Sequence, residues 1–397
     1  MLPPAPTIFF APWYTGSKGK TMHKLSFGLL ALALLVLSGC SLTPPKVVNP
    51  DTGGNDEGGR SPFQSGAIAG SIWRSSDGGK TFEPKVTVDE KRRITSANVL
   101  DISFLLRDAS GDLNPQRAPS VFVGTVESGI FKSDNSGDVW EPREFPPQKV
   151  YRFIADAVNP ERMFATGVIG GYGKVFRTKD GGKTWQDVYT EPGGGTVITS
   201  LAQSRRNPEV IFAATSSGVV VRSMDSGETW KNVGAGISGP ITEIVFDATV
   251  PERLYALAFE KKVYRSDDNG LTWKDPIDQS AGSVSPGAMI LLVADPSLSG
   301  TLYLGTKTGI MKSKNAGGSW EKLNIIESAE QFAIRSLAIS PKNSSEIAFV
   351  SGRTFYKSTN GGDTWSVVPL DVDREVSVLA YDPFDPQILY LGLRKFK

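Results

Sequence analysis

The sequence predicts an all-β fold assembled from repeated sheets, on two observations. One eight-residue pattern, Ser/Thr-x-Asp-x-Gly-x-Thr-Trp, recurs along the chain, and the segments beside it alternate apolar and polar residues as strands do. Its clearest copies are residues 178–185, 223–230 and 266–273. Looser copies place the closing aromatic at positions 82, 140, 185, 230, 273, 320 and 365, so that the spacing settles near 45 residues after the first step. A fixed spacing of that size denotes a repeat architecture. The 42 glycines and 26 prolines among 397 residues suit a chain full of turns.

Each copy reads as a hairpin turn. Asp77, Asp180, Asp225 and Asp268 can accept hydrogen bonds from the turn's own amides, and Asn135, Asn315 and Asn360 keep that acceptor without the charge. Gly182, Gly227 and Gly270 supply a position where positive φ carries no steric penalty. The strands leading in, Val175-Phe176-Arg177 and Val263-Tyr264-Arg265, are expected to point the aromatic inward and the cation outward. The closing residues are Phe82, Trp140, Trp185, Trp230, Trp273, Trp320 and Trp365. Burying one such ring, roughly 200 Å² at about 25 cal/mol per Å², contributes up to about 5 kcal/mol. Six of the eight tryptophans occupy this single position, which assigns them to packing between neighbouring units.

These residues resemble the Asp-box, or BNR, repeat of sialidases, sortilin-type receptors, xyloglucan-cleaving glycosidases and photosystem II assembly factors, over essentially residues 66–397. The resemblance implies a β-propeller with four antiparallel strands per blade. In it the box joins the third strand to the fourth and lies away from the ligand face. Equivalent first strands are visible at 198–202, 241–245 and 334–338, and second strands at 163–165, 210–213, 254–257 and 302–305. Residues 67–74 run straight into the first box with no earlier strands, whereas 376–381 and 388–393 are two strands with no box after them. Six whole blades and one composite blade therefore predict a seven-bladed ring, closed by the N- and C-terminal segments and free of exposed edges. A polar insertion at 107–120 lengthens the first whole blade on the box side.

Residues 1–40 read as a targeting segment. Residues 25–39 form an uncharged apolar run flanked by Lys18, Lys20 and Lys24, short for a membrane span. The run ends Leu37-Ser38-Gly39-Cys40, which resembles the lipobox of bacterial lipoproteins, and Cys40 is the sole cysteine. That resemblance implies cleavage before Cys40 and its acylation, hence a lipid-anchored, extracytoplasmic protein of the bacterial envelope; two or more acyl chains hold a protein on a bilayer stably. An uncleaved anchor helix is the other reading. Met22 is an alternative start. Residues 41–65, rich in Pro, Gly, Asn and Asp, read as a flexible tether.

Without residues 1–39 the chain carries 40 basic and 42 acidic residues, a net of −2, and nothing argues for nucleic acid. The only histidine, His23, leaves with the signal, which excludes Ser-His-Asp and Cys-His chemistry and histidine- or cysteine-based zinc sites from the processed chain. Carboxylate chemistry remains, and glycoside hydrolysis needs two Asp or Glu facing each other across a cleft. Glu191, Glu243, Glu260, Asp278, Glu327, Glu330, Asp373 and Glu375 fall on the loop-bearing face, where the solvated-surface reading outweighs a catalytic one. The Arg-Ile-Pro signature of sialidases is absent. Asp267-Asp268-Asn269-Gly270 lacks the later Glu of a calcium loop, so no metal and no cofactor is implied.

Two places suggest a binding surface. Residues 167–174 are glycine-rich, expected to form a mobile loop presenting Tyr172 and Lys174. Arg152 and Arg335 are expected at equivalent places near the channel mouth, with Tyr151 and Glu243 near them in the ring. The reading is a monomeric, non-catalytic propeller that binds a protein or polysaccharide; the alternative is a glycoside hydrolase using an Asp/Glu pair on the open face.

Overall fold

The computed structural model describes residues 69–106, 118–156, 158–234, 236–259, 262–277, 289–325 and 333–395, all within one compact unit, Ser61–Lys397. The expected signal segment, Cys40 and the tether lie outside the described residues, as do 107–117 and the carboxylates Glu260, Asp278, Glu327 and Glu330. The described strands form seven antiparallel sheets. Six have four strands; the sheet of Ile241–Phe246, Leu254–Ala258 and Lys262–Ser266 adds a bridge from Arg265 to Lys274 where a fourth strand would run.

The first strands of blades 1 to 7 are Val99–Leu105, Arg152–Ala155, Ile198–Gln203, Ile241–Phe246, Met289–Ala294, Ser336–Ile339 and Glu375–Tyr381. Each lies against the next, and Glu375–Tyr381 lies against Val99–Leu105, so the seven sheets close into a ring around these inner strands. Second strands such as Leu254–Ala258 and Ile347–Ser351 are buried at every residue, because neighbouring blades cover both faces of each sheet. Outer strands such as Lys231–Asn232 are exposed.

Blade 7 is the composite: Glu375–Tyr381 and Leu389–Arg394 from the C-terminal part, Ile72–Ser75 and Glu83–Pro84 from the N-terminal part. Trp73 pairs with Leu391 and Arg74 with Tyr390 across the join. Arg374 fastens the same seam, donating to the carbonyls of Ala97 at 2.8 Å, Gly70 at 2.9 Å and Thr95 at 2.8 Å.

The box of blade 3 shows why its residues recur. Ser223 Oγ donates to Asp225 Oδ1 at 2.7 Å and accepts the Gly227 N–H at 2.8 Å. The Thr229 N–H donates to Asp225 Oδ1 at 2.8 Å and the Thr229 hydroxyl to Oδ2 at 2.5 Å. Two consecutive residues adopt positive φ, Ser226 at 57° and Gly227 at 83°. A Cβ on Gly227 would also come within 2.9 Å of the Phe164 ring of blade 2, so glycine is required there for space as well as for φ. In two of the Asn boxes the direction of one bond reverses: Asn315 Nδ2 donates to Ser319 Oγ and Asn360 Nδ2 to Thr364 Oγ1, both at 2.9 Å.

The basic residue before the box does not point outward as expected. Arg177 is 2% exposed, and its guanidinium reaches the next blade to donate to Ser226 O at 2.8 Å. Arg74, Arg222 and Arg265 make the same bond to Ser136, Asn269 and Ala316. Alternation along a strand selects a face of the sheet, and in this ring that face is covered by the neighbouring blade.

Candidate functional site

Strand register identifies one position on every inner strand. Asp101, Arg152, Ser200, Glu243, Leu291, Ser336 and Val378 pair with Gly124, Thr166, Ala214, Leu257, Gly305, Val350 and Gly392 of their second strands. The position links successive blades: Asp101 Oδ2 accepts the Phe153 N–H at 2.7 Å, and Ser200 Oγ accepts the Ile244 N–H at 2.9 Å. One residue earlier, Thr199 and Ser377 donate their hydroxyls to the carbonyls of Ile241 and Val99 in the following blades.

Three of the seven residues at that position are charged, and the structure brings them together. The Arg152 guanidinium of blade 2 hydrogen-bonds and ion-pairs with Glu243 Oε1 of blade 4, and Asp101 of blade 1 lies 3.8 Å from its other nitrogen. Blade 3 places the small Ser200 between them, which leaves the guanidinium room to span two blades. Burial raises the Asp101 and Glu243 carboxyls above their ordinary range, against the pull of Arg152. Burial works against the Arg152 charge as well, but Glu243 and Asp101 outweigh it and raise that group. Two carboxylates thus share one cation, near the end of the channel from which the inner strands start.

Asp101 escaped the sequence reading; aligning strand register rather than sequence spacing would have found it. Arg335 stands one residue before this position and is not the counterpart of Arg152: Ser336 is. Arg335 instead lies 3.7 Å from Glu375. Tyr151 donates its N–H to Thr166 O and sits 4.8 Å from the Lys149 ammonium, measured to the ring centroid.

Residues 167–174, expected as a mobile loop, are the tip of a long hairpin. Met163–Ile169 and Tyr172–Thr178 pair throughout, turning at Gly170 and Gly171, with φ of 62° and 84°. Tyr172 is 43% exposed at that tip. Lys174 is engaged by Asp187 and by Thr190 Oγ1. Glu191 is buried and accepts the Tyr189 hydroxyl at 2.8 Å. Asp373 holds Arg374 at 3.3 Å. Among the described residues no group of three or more Asp, Glu, His or Cys is arranged to hold a metal, and no helix is long and apolar enough to cross a membrane.

Residues 95–249 match the family model described as photosynthesis system II assembly factor YCF48. Xyloglucanase Xgh74A of Acetivibrio thermocellus is 25% identical over 189 residues, 41% of this chain and 22% of that one. The photosystem II assembly lipoprotein Ycf48 of Prochlorococcus marinus (strain MIT 9313) is 26% identical over 194 residues, 46% of this chain and 49% of that one. The chain therefore spans less than half the length of these relatives. The structure of YCF48 bound to D1 peptide superposes with a TM-score of 0.55 at 17% identity, over 75% of this chain and 94% of that one. The chain is a seven-bladed β-propeller of Asp-box repeats, similar over part of its length to the Ycf48 assembly lipoproteins and to xyloglucanase Xgh74A.

Proposed function

We propose that the chain is a lipid-anchored, extracytoplasmic binding module that holds a protein segment during assembly at a membrane surface and catalyses no reaction. In this reading residues 1–40 are the lipoprotein signal, Cys40 carries the lipid, 41–65 are the tether and 66–397 the propeller, acting as a monomer. The observation that carries it is the Asp101–Arg152–Glu243 cluster. A glycosidase needs two carboxylates free to act across an open cleft, one as acid and one as base or nucleophile. Here both are turned onto a shared guanidinium and onto the frame of the ring. The partial match to Ycf48 lipoproteins, and a structural relative bound to a peptide, support a protein ligand and a lipid anchor.

Two measurements test this. Membrane fractionation should place the chain with membranes and release it in Cys40→Ala; an equal soluble distribution of both forms would end the anchoring claim. Capture from detergent-solubilised membranes should retain a protein partner, and xyloglucan should stay uncleaved. Hydrolysis abolished by Glu243→Gln would replace this reading with the enzyme.

A further inference from the structure

Three seams between blades share a bond that the seam between blades 1 and 2 lacks. Trp140, Trp273 and Trp365 each donate the indole N–H to a carbonyl just past the outer strand of the preceding blade: Lys85 at 2.9 Å, Val233 at 3.1 Å and Asn324 at 3.0 Å. In the seam between blades 1 and 2, the segment after Glu141–Arg143 turns its Phe145 ring against Trp185, with centroids 5.1 Å apart and edge to face. Trp185 Nε1 is then shielded from solvent with no hydrogen-bond partner, and so is Arg143 Nε beside it.

A groove of about 480 Å³ opens at this place, lined among others by Ser128, Arg143, Phe145, Pro146, Lys183 and Trp185. Its volume falls in the range of ligand sites, and its walls combine aromatic rings with a few polar groups. Arg143 and Lys183 outnumber the single lining carboxylate, Glu144. Arg143 also holds Glu141 at 2.8 Å.

We propose that this seam groove docks an extended acidic peptide segment of a partner protein. A backbone carbonyl of that segment takes the Trp185 indole N–H, as a carbonyl of the chain itself does in the sister seams, and its carboxylates meet Lys183 and Arg143. Aromatic grooves that hold extended, proline-rich peptides use the same combination of ring walls and donors to backbone carbonyls. The donor lies just beneath the groove surface, so binding displaces a lining side chain and proceeds more slowly than docking onto an open face.

The test measures fluorescence anisotropy of labelled (Asp-Pro)5, (Ser-Pro)5 and (Lys-Pro)5 peptides with the full chain in mild detergent; the prolines keep the probes extended. The acidic probe should bind tightest and the basic one least. Trp185→Phe, which removes only the indole donor and copies Phe82 of blade 7, should weaken the acidic probe about 3- to 10-fold, the effect of one hydrogen bond. Lys183→Glu copies Glu228 at the same box position and should weaken it further. Trp230→Phe removes the other unpartnered indole donor, over which Tyr189 packs at 5.7 Å, and should change nothing. Unchanged affinity in Trp185→Phe, equal binding of the basic probe, or displacement only by an acidic oligosaccharide would overturn the proposal. The proposal rests on the binding role proposed above; Cys40→Ala fractionation and the xyloglucan assay test that role without this groove, so failure here and failure there are separable.

Discussion

Arg177 of blade 2 donates to the carbonyl of Ser226, a residue of the next blade held at positive φ. The same guanidinium lies 2.9 Å from Glu228 of that box. The boxes around Ser136, Ser226, Asn269 and Ala316 are therefore each a turn in their own blade and an acceptor for the neighbouring one. Box and preceding cation recur together because they are two halves of one interface between blades.

Removing that cation should loosen the interface rather than unfold the turn. Arg177→Met keeps the apolar stem and deletes the charge-assisted bonds, each of which contributes about 1.5–3 kcal/mol in buried settings. The expected loss is about 2–3 kcal/mol in urea unfolding. Hydrogen exchange should rise first in the amides of Val220–Ser223 and of the box that follows. A change below experimental error would show that the seam rests on apolar packing alone.

The seam of blade 7 gives a sharper test, since it joins segments far apart in sequence. Arg374 collects carbonyls of Gly70, Thr95 and Ala97. Arg374→Ala would strand three acceptors at partly buried positions. Native-state exchange in Ile72–Ser75 should then approach that of a fraying edge, while Leu254–Ala258 on the opposite side keeps its protection. Uniform acceleration in both strands would mean that the ring opens elsewhere.

Much of this frame was legible because the box is a local code. A hydroxyl, a carboxylate, a glycine and a tryptophan at fixed offsets satisfy one another within eight residues, whatever surrounds them. Two further readings failed where strand pairing, which composition does not show, decides the outcome. The glycines at 167–174 suggested a loop, but only Gly170 and Gly171 turn the chain; Gly167 and Gly173 lie in strands, where Pro147 and Thr196 of adjoining loops leave no room for a Cβ. Arg335 looks equivalent to Arg152 in the sequence, yet pairing sets Arg152 opposite Thr166 and Ser336 opposite Val350; in blade 1 a register shift between Val99 and Asp101 interrupts the strand, which spacing cannot reveal. The same shift hid Asp101.

The box carboxylates make stability fall in acid. Hydrogen bonds from the Thr229 hydroxyl, then from the Thr229 N–H, hold the Asp225 carboxyl down at about 2, against partial burial. Its folded value lies below its unfolded one, so its contribution is complete above about pH 4 and disappears as pH falls toward 2. Asp225→Asn keeps the turn, as Asn315 and Asn360 do, but cannot ionise. The parent should be the more stable at pH 6, and the gap in urea titrations should narrow below about pH 4 and close only as pH falls through about 2. A gap independent of pH would assign the difference to geometry.

The channel cluster predicts opposite effects for its two kinds of member. Arg152→Gln leaves Asp101 and Glu243 facing each other without a cation, in a place where burial already raises both. Breaking a fully buried pair costs about 3–5 kcal/mol, and the 23% exposure of the Arg152 side chain reduces that to about 2–3 kcal/mol at neutral pH. With the cation gone, both carboxyls titrate higher still, so stability lost at pH 7 should be regained as pH falls through their raised values and one of them takes a proton. Glu243→Gln keeps Arg152 beside Asp101 and removes the excess negative charge, which should leave stability within about 1 kcal/mol of the parent. If the channel binds the partner segment, Glu243→Gln should still weaken capture from membranes, because the excess negative charge presented at its mouth is gone. Equal stability of Arg152→Gln and the parent across pH 5–8 would show that the guanidinium is bystander to the ring, and the carboxylates would then be free for other work.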